Sequence, residues 1–353
     1  GDFVGVVAPD EYTAARAIDA LRPQWRTELQ VSQPELFEYL KANVVESVGR
    51  QGPYLAVEGS VENGLAQAHV TLQQRYTVDY IAHVPLEPRV AMAQWVGDEL
   101  TVWTGSQRPF GVRAELAAAF GLPARQVRVI VPDTGAGYGG KHAGDAAVEA
   151  ARLAEAVGQP VRVAWTRMEE FTWAYFRPAG LIEVAGGVNR AGELTALELH
   201  NYNSGAAGIE PPYALPNKHI EFHPTLSPLR QGAYRALATT ANTFARESFL
   251  DELAQALRLD PLTFRLRNLR NERLRAVLTA AAEAFGWGTR PAAAGRGFGL
   301  ACGTEKGSYV AACVEVTVNL KTGEPQVLEV VQAYDCGAVI NPDNVRSQVE
   351  GAI

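Results

Sequence analysis

The 353-residue sequence carries a formal net charge of −7, with 47% hydrophobic and 20% charged residues, a composition able to build a sizeable core. The negative balance and the lack of a basic run exclude general nucleic-acid binding, and no apolar stretch reaches the roughly 18 residues that would cross a bilayer. Cys302, Cys313 and Cys336 form no CxxC pair. They read as small core residues, not as ligands of zinc or an iron–sulfur cluster.

The chain starts at Gly1 and runs into Phe3-Val4-Gly5-Val6-Val7, which reads as a strand interior. A helix is expected over residues 9–21 and a helical piece near 62–68. Strand texture follows at 70–80, 90–94 and 100–104. A helix over 112–120 is stopped by Gly121-Leu122-Pro123. Next come a strand at 125–131, a glycine-rich loop, an alanine-rich helix over 145–157 ending at Gly158, and a strand at 161–165. Residues 181–188 and 193–200 flank Asn189-Arg190-Ala191-Gly192, a hairpin signal. Residues 201–240, rich in Pro and Gly, read as a long irregular loop.

A helix over 243–257 places Phe249, Leu250, Leu253 and Leu257 on one face. Asp260-Pro261 opens another, and residues 273–285 make a third. Residues 308–318 and 326–334 pair about Lys321-Thr322-Gly323-Glu324. Asn341, Pro342 and Asp343 begin a last helix, whose apolar stripe (Val345, Val349, Ile353) is starting where the sequence stops. Both ends therefore suggest a piece of a longer protein. Helices mixed with antiparallel pairs indicate an α+β fold.

The chemistry concentrates in Gly135-Ala136-Gly137-Tyr138-Gly139-Gly140-Lys141. With four glycines in residues 135–140, the backbone is bare enough for another molecule to approach it closely. The spacing from Gly135 to Gly140-Lys141 fits a phosphate-binding loop, yet His142 stands where a Ser or Thr would bind Mg²⁺. Gly135, Gly137 and Gly140 also match a dinucleotide fingerprint, with Thr166-Arg167-Met168-Glu169 an imperfect source of the ribose-binding acid. Tight packing of a helix on a sheet is a third use. The loop alone leaves all three open. His83 and Glu87 have i, i+4 metal-ligand spacing, but Pro85 forbids a regular helix between them, so that segment reads as structural. No other His/Cys grouping has ligand spacing.

Five segments, in order, resemble the molybdopterin-binding large subunit of the xanthine dehydrogenase/aldehyde oxidase family. They are Ala82-His83-Val84-Pro85-Leu86-Glu87-Pro88, Trp103-Thr104-Gly105-Ser106-Gln107-Arg108-Pro109, the glycine loop, Tyr234-Arg235-Ala236 with 242–253, and Asp335-Cys336-Gly337-Ala338-Val339-Ile340-Asn341-Pro342 running into Gln348-Val349-Glu350-Gly351-Ala352. The resemblance covers nearly the whole chain and is closest to bacterial isoquinoline, nicotinate and aldehyde oxidoreductases, to which Lys306-Gly307-Ser308-Tyr309-Val310 also points. It implies an α+β molybdenum-cofactor-binding domain at 69–353, preceded at 1–68 by the remnant of a hammerhead-like domain.

It further implies oxidation of an N-heterocycle or an aldehyde with water as oxygen source, on a molybdenum–molybdopterin cytosine dinucleotide cofactor held by the pterin and not by side chains. Electrons would leave through [2Fe–2S] clusters on a partner subunit, with a flavin or cytochrome subunit as a further partner and a homodimer of heteromers as the assembly. Carried over by position, Gln107 hydrogen-bonds the apical metal ligand, and Gly137, Tyr138, Gly139 and Gly140 lie against the cofactor. Arg235 stabilises negative charge, Gln348 bonds the pterin, and Tyr138 and His142 line the substrate pocket. Ala136 and Tyr138 replace the commoner Gly and Phe, and a Gly-Gln-Gly motif of the relatives is missing. Gly323-Glu324-Pro325 lies in a hairpin turn and is no substitute for the family's general-base Glu, so this piece is not expected to turn over alone. A cofactor-free scaffold or subunit-interaction domain is the alternative. The compartment stays open between cytoplasm and periplasm, with cytoplasm preferred.

Overall fold

A computed structural model describes residues 3–48, 52–291 and 293–353. They form two compact units, each assembled from three chain segments. The first unit comprises Gly1–Leu36, Tyr80–Pro178 and Ser227–Arg235; the second comprises Phe37–Asp79, Ala179–Leu226 and Ala236–Ile353. Residue 68, the expected domain limit, lies inside the second unit, because Val70–Val78 pairs along its whole length with Gly180–Val188.

The first unit is built on a four-stranded sheet in the order Val127–Ile130, Glu99–Thr104, Val90–Val96, Val161–Ala164. The first pair is parallel and the others antiparallel. Strand alternation turns Ala91, Ala93, Leu100 and Val102 inward, where they cluster with Val112 and Leu116 of the helix Pro109–Phe120. The helix Asp145–Val157 has the expected bounds and buries Ala146, Ala147, Ala150, Ala151 and Ala154, a face of small side chains that lets its backbone approach the sheet closely. Residues 3–7 are not a strand. Phe3, Val4 and Val7 are exposed, and without a neighbouring strand their backbone has no ladder to join. Glu11–Ala20 follows as a helix capped by Asp10, whose carboxylate accepts the Thr13 N–H at 2.8 Å.

The second unit holds a five-stranded sheet, ordered Tyr54–Glu58, Lys218–His223, Leu194–Tyr202, Gly180–Val188, Val70–Val78. Leu194–Tyr202 and Lys218–His223 run parallel, and the remaining pairs are antiparallel. A separate antiparallel sheet consists of Arg296–Glu305, Ser308–Val318 and Pro325–Asp335. The helix Thr239–Ala256 contributes Phe249, Leu250 and Leu253 to a core with Leu197, Leu199, Ile220, Phe222, Phe264 and Phe285. Lys218–His223 falls within the stretch expected to be an irregular loop, and periodicity also signals neither Tyr54–Glu58 nor Arg296–Glu305. Cys302 and Cys313 are core residues, as expected, whereas Cys336 is only partly buried.

A charged network is buried beside this core. The Glu247 carboxylate accepts bonds from Arg246 Nε and Arg265 Nε, each at 2.9 Å, and from the Tyr213 hydroxyl at 2.9 Å. Burial alone would raise its pKa, but the two guanidinium charges outweigh burial and hold it below the usual carboxylate value.

Candidate functional site

The glycine loop is held from its inner side by four side chains of the first unit. Glu87 grips both ends: Oε1 accepts the Thr134 hydroxyl at 2.9 Å and Lys141 Nζ at 2.6 Å, and Oε2 accepts the Gly135 N–H at 3.1 Å. The bond from Lys141 is the largest influence holding the Glu87 carboxyl below its ordinary pKa. Arg89 donates to the Gly140 carbonyl and ion-pairs with buried Glu170. The Tyr175 hydroxyl donates to the Gly139 carbonyl and accepts the His142 N–H at 3.2 Å. Gln107 Oε1 accepts the N–H groups of Gly139 and Lys141, both at 3.1 Å.

The amide of Gln107 is thereby fixed in orientation. Two backbone donors demand an oxygen, so the nitrogen with its two hydrogens faces away from the loop; among the described residues it meets no acceptor. The loop shows the same one-sidedness. The N–H groups of Ala136, Gly137 and Tyr138 have no hydrogen-bond partner among the described residues, and Tyr138 is 40% exposed. Gly137 is required by the contact with Gln107, since a Cβ there would lie 2.8 Å from Gln107 Cδ. Gly139 has φ +95°, and its Cβ would lie 2.7 Å from the Ala233 carbonyl oxygen and 2.8 Å from Tyr234 Cα. The segment ending at Arg235 is therefore seated directly on the loop. The Arg235 N–H donates to the Tyr138 carbonyl at 2.7 Å, and His83 Nε2 lies 2.7 Å from the Ala233 oxygen. Burial is the main influence lowering the pKa of His83 and also that of His142, where the Arg108 charge adds to it.

Gln107, Gly137, Tyr138, Gly139, Gly140, His142 and Arg235 thus meet around one loop of the first unit. Gln348 lies on the helix Pro342–Glu350 of the second unit and is exposed there. The phosphate-loop reading fails, because Lys141 is 3% exposed and spent on Glu87. The dinucleotide reading fails as well. Glu169 closes a capping box with Thr166 at the start of Arg167–Trp173, and the sheet has a single parallel pair. Sequence reasoning takes Ala82–Pro88 as structural but misses that Glu87 is the loop's clamp, and it misses Arg89 and Tyr175 altogether. A buried-charge partner for Lys141 is the signal that could have found Glu87. No spacing along the chain groups the remaining histidines. Pairing of Leu194–Tyr202 with Lys218–His223 gathers His200, Glu221 and His223 with donor atoms all within 4.8 Å of one another.

Residues 46–269 match the molybdopterin cofactor-binding domain, and residues 245–353 match a second family of the same description. The chain is 30% identical to one subunit of the nicotinate dehydrogenase of Pseudomonas putida, over 100% of this chain and 33% of that protein. It is 29% identical to one subunit of the isoquinoline 1-oxidoreductase of Brevundimonas diminuta, over 78% and 38%. Among solved structures, quinoline 2-oxidoreductase from Pseudomonas putida 86 superposes with a TM-score of 0.72 at 21% identity, covering 91% of this chain and 48% of that one. This chain spans about a third of the length of the two curated relatives.

Proposed function

This chain belongs to the xanthine dehydrogenase/aldehyde oxidase family, within its molybdopterin-binding subunit, and on that premise we propose that Gln107, residues 137–140 and Arg235 hold a molybdenum–pterin group. The enzyme they serve oxidises an N-heterocycle or an aldehyde, with water as oxygen source. The orientation of Gln107 carries the reading. Its oxygen is consumed by Gly139 and Lys141, so it presents two uncharged donors to whatever lies beyond the loop.

The residues present fit such a group. N–H groups at 136–138 without a partner among the described residues suit an oxygen-rich anion, and Gly137, lacking a Cβ, lets the Gln107 amide close against the loop. When bound, the group supplies a two-electron redox centre; the protein supplies binding, orientation and charge. Arg235, tied by its main chain to Tyr138, brings a permanent positive charge able to stabilise negative charge developing in the reaction. Tyr138 and His142 border the substrate, and burial, with the nearby Arg108 charge, lowers the pKa of His142 and so disfavours its charged form.

The pterin is the cytosine dinucleotide form. On this reading the [2Fe–2S] clusters sit on a partner subunit, and a flavin or cytochrome subunit completes a dimer of heteromers. No Glu among these residues stands in the context of a general base, so these residues alone are expected not to turn over. The test is metal and pterin analysis of the intact protein from a molybdenum-replete host, followed by turnover on a panel of N-heterocycles and aldehydes with an artificial electron acceptor. About one molybdenum per chain, with turnover lowered in Gln107→Ala and Arg235→Ala, is expected. Intact wild type lacking both metal and pterin would refute the reading in favour of a cofactor-free scaffold.

A further inference from the structure

On the face of the five-stranded sheet opposite its buried side chains, strand register assembles a polar cluster. Leu194–Tyr202 and Lys218–His223 pair in parallel, with Glu198 opposite His219, His200 opposite Glu221, and Tyr202 opposite His223. These alternate positions share one face, while Leu197, Leu199, Ile220 and Phe222 point into the core. Three of the chain's 6 histidines are thereby drawn together.

We propose that His200, Glu221 and His223 form a binding site for one divalent transition-metal ion of the zinc class, three protein ligands leaving the remaining coordination to water. The spacing fits. Tetrahedral zinc with bonds of about 2.0–2.1 Å holds its ligand atoms roughly 3.3 Å apart. His200 Nδ1 lies 3.1 Å from His223 Nε2 and 3.6 Å from Glu221 Oε2. The supporting residues fit too. His200 Nε2 lies 3.1 Å from Glu198 Oε1, and donation of that N–H fixes the tautomer that leaves the Nδ1 lone pair for a metal. His219 Nε2 lies 2.9 Å from Glu221 Oε2 and orients that carboxylate. The Tyr202 ring stacks on His223 with centroids 4.5 Å apart and planes at 13°. Two imidazoles and one carboxylate select zinc, nickel, cobalt or copper over magnesium or calcium, which prefer all-oxygen sites. With His200, Glu221 and His223 retaining 24%, 28% and 18% exposure, an ion can enter from solvent. Once bound it ties two neighbouring strands together and stabilises the second unit by mass action.

The test is calorimetric titration of the chelator-treated full chain with Zn²⁺, with Co²⁺ absorption reporting the ligand field. One equivalent of Zn²⁺ is expected, with a raised thermal midpoint and no response to Mg²⁺. His200→Ala and His223→Ala should each weaken binding by at least the roughly 10–100-fold typical of losing even an outer partner, and Glu198→Gln by about that amount. Glu221→Gln, which preserves shape, carries the same test if an alanine variant fails to fold. The proposal is overturned by the absence of Zn²⁺ binding, by an equal response to Mg²⁺, or by affinity unchanged in every folded variant of His200, Glu221 and His223.

Discussion

Replacing Gly139 with alanine should damage the cofactor site in a way that the backbone geometry allows to be sized. At φ +95° an L-residue carries strain of roughly 1–3 kcal/mol. The new Cβ would also sit 2.7 Å from the Ala233 oxygen and 2.8 Å from Tyr234 Cα, and main-chain atoms cannot rotate aside as a side-chain tip can. Relief requires the loop and residues 233–235 to separate. That puts at risk the Arg235-to-Tyr138 and Tyr175-to-Gly139 hydrogen bonds, each contributing about 1 kcal/mol. The sum is about 3–5 kcal/mol. Gly97→Ala is the control, since Gly97 has φ +58° with nothing within 4 Å of its Cβ, so only the conformational cost of about 1–2 kcal/mol applies. The assay is the thermal midpoint of each variant, with molybdenum and pterin content of the intact protein measured alongside. Gly139→Ala should fall well below Gly97→Ala in midpoint and lose most of its cofactor. If both variants melt alike and keep the cofactor alike, close seating of Arg235 on the loop is not what builds the site.

The remaining predictions concern the supports. Tyr175→Phe removes one donor and one acceptor from the loop and should cost about 1–3 kcal/mol in urea unfolding; a loss under about 0.5 kcal/mol would show that the loop is held without it. Arg265→Met leaves Glu247 buried with one arginine fewer and should cost about 3–5 kcal/mol at pH 7. Glu247 has a lowered folded pKa, so its contribution is present above the unfolded carboxyl pKa of about 4.3 and is lost as pH falls through the folded value. The Arg265→Met penalty should therefore shrink on acidification, and a penalty independent of pH would contradict the ionised buried carboxylate. His83, whose folded pKa is also lowered, contributes stability above its unfolded pKa of about 6.5, which is lost as pH falls below it. His83→Gln, which can still donate to the Ala233 oxygen, should flatten the decline in thermal midpoint between pH 6.5 and 5; an unchanged decline would assign it to other groups.

Much was legible in the order of the residues because the underlying physics is local. Asp260 and Asn341 accept the N–H groups of Thr263 and Asn344 as helix caps within three residues of themselves. Gly158 in the left-handed region ends the helix that begins at Asp145. The ordered motifs from Ala82 to Gln348 likewise name their family by residue type and spacing alone. What the sequence could not reveal depends on pairing between distant segments. That Glu87 clamps Lys141, 54 positions away, that the Gln107 oxygen and not its nitrogen faces the loop, and that Ala233 crowds Gly139 follow only once sheet and segments are assembled.

The short strand Lys218–His223 is the plainest case. Its alternation is real, but six residues among Pro and Gly carry too weak a periodic signal, and its partner Leu194–Tyr202 is fixed by burying Ile220 and Phe222 beside Leu197 and Leu199. Once that register forms, a single-residue slip would expose the core face. The same choice sets His200, Glu221 and His223 side by side on the other face, a grouping decided by burial in three dimensions and not by any motif along the chain.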